Sequence, residues 1–546
     1  MTPPDSLAPP DDAARGPGLP RSRGALASRP YSERDVEDLA RFGYRQRLDR
    51  TLGGFSAFAA GFSYLSVLTG SSQLFHLGFA AGGPAFFWTW PAVFLGQFLV
   101  ALCFAELASR YPLSGGVYQW SKQLGSGGLG WMAGWVYLAC AVITLASVAL
   151  ALQTTLPQIS PVFQLVGRAD DRLEGAKNAV ILGCLVISFS TLVNTVGVRI
   201  LARINNVGVL VEMIGAILLI ALLALAAKRG PEVVFDSQGR GDGTPIGYLG
   251  PALAASIMAT FVLYGFDTAG SLAEETADPR RRAPRAILLS LAAVGVAGSM
   301  LVFSAIRAAG DLHATELSSG TGGLPFIVKD SLGAILGTPF LCVVAFSIIV
   351  CTLTVHAAAV RLVFAMARDD NLPFASLLAR VNDGSRTPTA PALLIGVLAA
   401  CLLVVNIDFP RVIEVLTSTA VVWANLAYLF VTVPLLGSRF GPGSAHARPS
   451  ESDVRPAFWL GRWSLPVNVA AVAWGGLVVV NIAWPRVEVY GSGFPGRYAA
   501  VLSTAGMLGA GWLYDRLVRR RRSGAGEGVA VLAEHRAGDA PIPRTV

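Results

Sequence analysis

Runs of apolar residues, each close to the length of a membrane-spanning helix, follow one another along most of this sequence. A helix needs about 20 mostly apolar residues to cross the hydrocarbon core of a bilayer. Hydrophobic residues make up 53% of the 546 residues and charged residues only 14%, whereas about 25% of the residues in a soluble domain are charged. Because a soluble protein of this size needs more charged surface, the sequence predicts an all-α polytopic membrane protein.

Twelve apolar runs can be placed between residues 51 and 517, and we number them spans 1 to 12. Their predicted bounds are 52–78, 85–108, 129–156, 178–198, 204–227, 248–273, 285–309, 338–366, 391–406, 412–436, 465–484 and 497–517. The polar residues 1–50 predict a disordered tail and contain no apolar core, which excludes a cleaved signal peptide. Residues 518–546 are predicted to form a basic C-terminal tail.

The 43 lysine and arginine residues are unevenly distributed over the loops and tails. If the N-terminus is cytoplasmic, the inside segments carry more of them than the outside segments by about three to one. This bias predicts that both termini lie in the cytoplasm. Arginine greatly outnumbers lysine, and together with the high content of Ala, Gly and Pro this suggests a GC-rich bacterial genome, so we expect a bacterial inner membrane. Because the basic residues are scattered instead of lining one face with interleaved aromatics, we expect a lipid bilayer and no nucleic acid as partner.

Spans 1 and 6 each carry glycine and polar residues near their middle, where an apolar helix is expected. Interrupted helices at matching positions of two halves are typical of inverted-repeat transporters. Spans 1 and 6 are the first members of two five-span sets, 52–227 and 248–436, while spans 11 and 12 (465–517) lie outside the repeat. The candidate substrate-binding residues at the two breaks are Ser66, Thr69, Gly70, Ser71, Ser72, Phe261, Tyr264, Gly265 and Asp267.

The two breaks together suit a zwitterionic solute. A half-helix opening at Gly70, Ser71 and Ser72 would present free N–H groups and a positive dipole end to a carboxylate. Freed carbonyls of residues 261–264 would accept hydrogen bonds from an ammonium group. For the aromatic residues of span 6, an apolar wall or gate and simple helix packing are equally compatible with the sequence. Asp267 either caps the second half-helix or contacts the substrate.

Glu212 lies eight residues into predicted span 5, among apolar neighbours and with no basic residue within a helical turn. Ionisable side chains inside a membrane are costly unless they are paired, neutral or functional. We favour a proton-coupling role for Glu212 over a permanently protonated carboxyl bonded to a backbone carbonyl. Other acidic residues lie near the ends of their spans, and we expect them to pair with Arg110 or with the basic residues 280–282. They are Glu106, Glu274 and Glu275.

Signatures of membrane enzymes are missing from this sequence. It contains no HExxH, GxSxG or GK[ST] motif, and its six cysteines form no CxxC pair. Zinc-dependent proteases, serine lipases and P-loop ATPases carry these motifs. We therefore expect no enzyme activity, no metal site and no cofactor.

Three motifs give the chain a recognisable family likeness. They are AELASRYPLSGGVYQWSK at 105–122, YGFDTAGSLAEETADPRRRAPRAI at 264–287 and FAMARDDNLP at 364–373. With these motifs the sequence resembles the amino acid–polyamine–organocation (APC) superfamily, in particular its amino-acid and GABA permeases, over about residues 45–515. The resemblance implies the leucine-transporter-type fold, with a 5+5 inverted repeat, two extra helices and alternating access.

The resemblance also implies roles for single residues. In related permeases a Gly-Ser-Gly stretch of span 1 holds the substrate carboxylate, and here the stretch reads Gly70-Ser71-Ser72. Phe261 falls where relatives place an aromatic gate. Glu212 falls near the position at which some relatives carry a lysine that mimics a sodium ion. Because a carboxylate cannot replace that lysine, the coupling of those relatives does not transfer to this chain.

The sequence thus predicts a secondary active transporter for a small neutral amino acid or GABA, coupled to protons. An exchanger of an amino acid against its amine is an alternative that the sequence does not separate from the symporter. A membrane sensor that binds a solute without moving it is a third reading.

Overall fold

The computed structural model describes residues 33–168, 171–320, 322–382, 384–405, 407, 412–440, 456–486 and 493–520. Regular structure in these residues is helical, apart from one isolated parallel β-bridge between Leu52 and Thr276. Predicted tail residues 1–32 and 521–546 lie outside the described part of the chain.

Each predicted span coincides with one helix or with two helices in succession. In chain order the helices of spans 1 to 12 are Gly54–Leu65 with Val67–Gly82, Thr89–Arg110, Gly127–Leu150 with Leu152–Ile159, Arg172–Val196, Val198–Leu225, Leu249–Val262 with Thr268–Ser271, Pro279–Ala308, Leu324–Arg368, Thr389–Val405, Val412–Ser438, Ser464–Ala483 and Ala499–Tyr514. Shorter helices are Glu33–Arg41, Gly116–Leu124, Ala375–Leu378 and Phe494–Arg497. Single turns are Pro84–Trp88, Pro161–Phe163, Pro231–Phe235, Ala273–Glu275, Thr315–Ser318, Gly461–Trp463 and Asp515–Arg519.

Eight helical segments in the described residues are long and apolar enough to cross a membrane by length and composition. They belong to spans 2–5, 7, 8, 10 and 11. Spans 1 and 6 are interrupted, and spans 9 and 12 have only 17 and 16 helical residues. The prediction of an all-α polytopic membrane protein is confirmed.

Close contacts between glycine and larger side chains hold the interrupted spans against the uninterrupted ones. The first helix of span 1 packs on span 7, where a Cβ at Gly61 would lie 2.6 Å from Ser290 Oγ. Span 7 in turn packs on span 2, and Trp90 Nε1 donates a hydrogen bond of 3.0 Å to the carbonyl of Gly295. Small residues let helices approach closely where no hydrophobic effect drives their association. Span 3 packs on spans 8 and 10, and these contact the interrupted spans in turn, span 8 on span 1 and span 10 on span 6.

Residues 33–53 lie across the end of the helix bundle at which span 1 begins. Arg280 forms an ion pair of 2.6 Å with Asp38, and Tyr44 Oη donates a hydrogen bond of 2.8 Å to Asp369. Residues 33–50 therefore differ from the disordered tail that the sequence predicts. Their polar side chains find partners on loops that are distant in the sequence.

Buried ion pairs join the spans at this same end. Glu106 pairs with Arg110, as expected, and also with Arg439, which directly follows the helix of span 10, at 3.2 Å. The expected partners of the other two glutamates are wrong, because span 8 brings its own arginines closer than residues 280–282. Glu275 pairs with Arg361 at 3.1 Å, and Glu274 pairs with Arg368 at 2.9 Å.

Removing one member of a fully buried ion pair should destabilise the fold. The side chains of Arg361 and Glu275 are 1% and 0% exposed, and an unpaired buried charge costs about 3–5 kcal/mol. We expect Arg361→Met to lower the thermal unfolding midpoint of the detergent-purified protein, and Arg361→Met/Glu275→Gln to recover part of the loss. Arg281→Met, at an exposed position of span 7, serves as the control. A single variant as stable as the wild type would contradict this structural role.

Candidate functional site

The interruption of span 1 lies at Ser66. The first helix ends at Leu65 and the second begins at Val67, and Ser66 between them adopts φ 32° and ψ 92°. The sequence placed this opening at Gly70–Ser72, which is wrong, because the N–H of Gly70 already bonds the carbonyl of Ser66 at 3.1 Å. The break occurs where polar groups can cap the new helix, and the helix tolerates glycine and serine further along.

Glu212 of span 5 caps this half-helix. Its Oε1 atom lies 2.8 Å from Ser66 Oγ and accepts a hydrogen bond of 3.2 Å from the N–H of Leu68. The N–H of Thr69 bonds Ser66 Oγ at 3.4 Å. The Glu212 side chain is buried, and no ion pair to it occurs among the residues that the structure describes. A negative charge on Glu212 would therefore depend on helix N–H groups and the positive end of the helix dipole.

The interruption of span 6 runs from Leu263 to Asp267. Gly265 adopts φ 93°, and a Cβ there would lie 2.0 Å from Tyr64 Cε1, so both the backbone conformation and the contact require glycine. The N–H of Gly265 donates a hydrogen bond of 2.8 Å to Tyr428 Oη of span 10. Among the described residues, no backbone N–H of the interruption or of the turn after it donates a hydrogen bond to the carbonyls of residues 261–264. They remain available as acceptors.

A small cavity of about 10 Å³ lies between the two interruptions. That volume holds about one water molecule. The lining residues are uncharged and come from spans 1, 3, 6 and 8. They are Tyr64, Leu65, Thr69, Gly70, Thr144, Val148, Phe261, Val262, Tyr264 and Cys351.

Four of the predicted substrate-binding residues line this cavity: Thr69, Gly70, Phe261 and Tyr264. Ser66 and Gly265 shape the interruptions beside it. The remaining three lie elsewhere, and all of them are buried. They are Ser71, Ser72 and Asp267.

Ser71 and Ser72 leave their hydroxyls without a hydrogen-bond partner in the described residues. Asp267 makes no side-chain cap for the helix Thr268–Ser271, so the capping role expected for it is wrong. Its Oδ1 atom instead accepts hydrogen bonds of 2.6 Å from both Tyr137 and Tyr428. The tyrosine hydroxyls come from spans 3 and 10, which are distant from Asp267 in the sequence.

Sequence reasoning missed six of the lining residues: Tyr64, Leu65 and Val262 on the interrupted spans, and three more on spans 3 and 8. Thr144 and Val148 face the cavity one helical turn apart, and Thr144 Oγ1 lies 2.7 Å from Tyr264 Oη. Cys351 Sγ donates to the carbonyl of Tyr64 at 3.4 Å. Nothing in an unbroken apolar run marks which of its faces lines a site, although the four-residue spacing of Thr144 and Val148 agrees with one helix face.

The comparisons with known proteins agree with the fold. The family model described as amino acid permease matches residues 52–502. The chain belongs to the amino acid permease family. This places it in the APC superfamily that the sequence motifs indicated, and it is a multi-pass membrane protein and not an enzyme.

The similarity to individual relatives extends over most of this chain and most of each relative. The chain is 25% identical to amino-acid permease BAT1 of Arabidopsis thaliana, over 83% of this chain and 88% of the relative. It is 26% identical to an uncharacterized amino-acid permease of Schizosaccharomyces pombe, over 83% and 78%. It is 25% identical to a putative amino acid/polyamine transporter of Macrophomina phaseolina, over 78% and 94%.

The close contact between spans 1 and 6 at the cavity predicts that a larger residue at Gly70 impairs transport by this permease. A Cβ at Gly70 would lie 2.4 Å from Val262 Cγ2, and overpacking of this kind costs about 1–3 kcal/mol. We expect Gly70→Ala to reduce uptake, by reconstituted protein, of a labelled amino acid that the wild type transports, and Gly70→Ala/Val262→Ala to restore part of it.

Gly476→Ala is the matched control, because a Cβ at Gly476 of span 11 meets nothing within 4 Å. Normal uptake by Gly70→Ala would mean that the two spans do not need this close approach.

Proposed function

We propose that this permease is a proton-coupled secondary transporter of a small neutral amino acid or a GABA-like solute, working by alternating access. The observation that carries the proposal is the capping of the span 1 half-helix by Glu212, directly beside the cavity. The names of the relatives support an amino acid as the class of solute.

The polar groups around the cavity suit the two ends of a zwitterion. The start of the half-helix, with Thr69 and Gly70 on the cavity wall, would attract the carboxylate through its N–H groups and dipole. The carbonyls of residues 261–264 would accept the ammonium group. Since no charged residue lines the cavity, a charged solute side chain would be desolvated without a partner, which is costly.

Glu212 supplies the link to protons. When ionised, it occupies the N–H of Leu68 and places a negative charge beside the start of the half-helix. A solute carboxylate arriving there is repelled by that charge and competes for the same donors. Protonation of Glu212 removes the repulsion, so proton binding and solute binding favour each other, and by thermodynamic linkage the effect is reciprocal.

The wider architecture belongs to the same proposal. Two five-span sets, 52–227 and 248–436, form an inverted repeat whose first spans are both interrupted, and spans 11 and 12 are additional. The loops and tails rich in arginine face the cytoplasm, so that residues 33–53 lie at the cytoplasmic end. The membrane is a bacterial inner membrane, and the partners are the solute, the proton and the bilayer.

Transport by reconstituted protein tests the proposal. Proteoliposomes with an imposed pH gradient would be screened with labelled amino acids, GABA, polyamines and choline. We expect accumulation of a small neutral solute that a protonophore abolishes. Movement only into preloaded vesicles would identify an exchanger instead, and binding without flux in sealed vesicles would overturn the transport proposal.

Neutralising Glu212 should separate accumulation from exchange. Glu212→Gln keeps the size of the side chain but can no longer bind and release a proton. Uphill uptake should therefore be lost, while exchange of labelled for unlabelled solute continues. Glu232→Gln, at an exposed position in the turn Pro231–Phe235, is the control. Undiminished proton-driven accumulation by Glu212→Gln would remove Glu212 from the coupling mechanism.

The span 3 wall should limit the size of the solute. Val148→Ala removes two methyl groups from the cavity wall, and one methylene changes discrimination by about tenfold or more. We expect unlabelled valine to compete about tenfold better against labelled alanine in this variant. Val296→Ala, which is 50% exposed on span 7, is the control, and an unchanged order of competing solutes would contradict a role for Val148.

A further inference from the structure

Asp267 is an ionisable group that the proposed coupling does not use. It is the last residue of the interruption of span 6 and is buried, 1% exposed. Its Oδ1 atom accepts hydrogen bonds of 2.6 Å from Tyr137 of span 3 and from Tyr428 of span 10. The hydroxyl of Tyr428 also accepts the N–H of Gly265 at 2.8 Å. One carboxyl group thus fastens the interrupted span to two uninterrupted ones.

The surroundings of Asp267 contain no positive charge among the described residues. Its second oxygen, Oδ2, is buried and accepts no hydrogen bond there. Two further titratable groups face Asp267 besides the two tyrosines that bond it: Tyr64 of span 1 and Cys140 of span 3. The short helix Gly116–Leu124 contributes the backbone near Gly116. An ionised Asp267 therefore depends on neutral donors, chiefly its two tyrosine hydroxyls, with the Ser271 hydroxyl beside them.

The strength of this fastening depends on the charge of the carboxyl. Hydrogen bonds to an ionised group are roughly twice as strong as those between neutral groups. Separating span 6 from spans 3 and 10 breaks both bonds before water can reach the carboxylate. Adding a proton to Asp267 weakens both bonds and removes the charge that would otherwise be left without donors.

We propose that Asp267 is a positioning residue whose protonation releases span 6 from Tyr137 and Tyr428, so that opening at the end of residues 33–53 is faster at acid pH. The inference rests on the proposed transport function. It assigns Asp267 to the opening step, whereas Glu212 couples the proton to the solute.

Exchange of labelled for unlabelled solute, with the same pH on both sides of the vesicle membrane, measures opening without a driving gradient. We expect wild-type exchange to rise about tenfold or more from alkaline to mildly acidic pH. Asp267→Asn should exchange rapidly at every pH, because the amide oxygen still accepts both tyrosine hydroxyls but carries no charge. Asp236→Asn, at an exposed position, should keep the wild-type pH profile.

Removal of the donors provides a second test that leaves the carboxyl in place. Tyr428→Phe or Tyr137→Phe deletes one hydrogen bond to the ionised form, so the pH profile of exchange should move to higher pH by about 1–2 units. A wild-type pH profile in Asp267→Asn, slow exchange by that variant at all pH values, or unmoved profiles in both phenylalanine variants would overturn the inference.

Failure of the proposed function has a different signature. If the wild type neither accumulates nor exchanges any solute, the transport proposal fails and takes this inference with it. If the wild type transports and only the Asp267 variants behave unexpectedly, the inference alone fails. Glu212→Gln should lose accumulation and retain the pH dependence of exchange, which is the opposite of the Asp267→Asn pattern.

Discussion

The interruption of span 1 exposes helix N–H groups inside an apolar structure, and these groups need a partner. Water is scarce in such a place, and an unbonded backbone group costs several kcal/mol. Glu212 meets the need by bonding Leu68 and Ser66 from span 5. A carboxylate that is itself costly to bury is stabilised by the N–H groups that it caps. The exposed N–H groups and the buried carboxylate thus compensate each other.

This mutual dependence explains why the cavity lies where it does. The half-helix starts at Ser66, the freed carbonyls follow Phe261, and Gly70 allows the two spans to touch between them. A solute that supplies its own carboxylate can replace part of what Glu212 provides. In the proposed mechanism, solute and proton are linked through one set of backbone donors.

The sequence and the structure agree where local patterns decide the outcome. Every predicted span coincides with helix, and the polar residues of spans 1 and 6 mark two spans that are interrupted near their middle. Agreement ends where residues distant in the sequence meet. Glu275 pairs with Arg361, and Asp267 meets Tyr137 and Tyr428, because of how the spans are arranged in space. The predicted position of the break in span 1 is wrong for the same reason, since the group that caps the helix after Ser66 comes from span 5.

The buried carboxylates at the end of the bundle and those near the middle of the spans have different kinds of partner. At the end of residues 33–53, buried carboxylates are matched by arginines, as in the pair of Glu274 with Arg368. Near the middle of the spans, Glu212 and Asp267 have only hydroxyl and N–H donors. Paired charges hold a structure together, whereas carboxylates held by neutral donors can be neutralised by a proton without leaving a cation unpaired.

Proton uptake on solute binding tests the link between Glu212 and the solute most directly. Purified protein in weakly buffered solution would be mixed with the transported solute while a pH indicator is recorded. We expect the wild type to take up protons in step with solute binding, and Glu212→Gln to bind the solute without taking them up. Solute binding by the wild type with no change in bound protons would contradict the coupling of the two through Glu212.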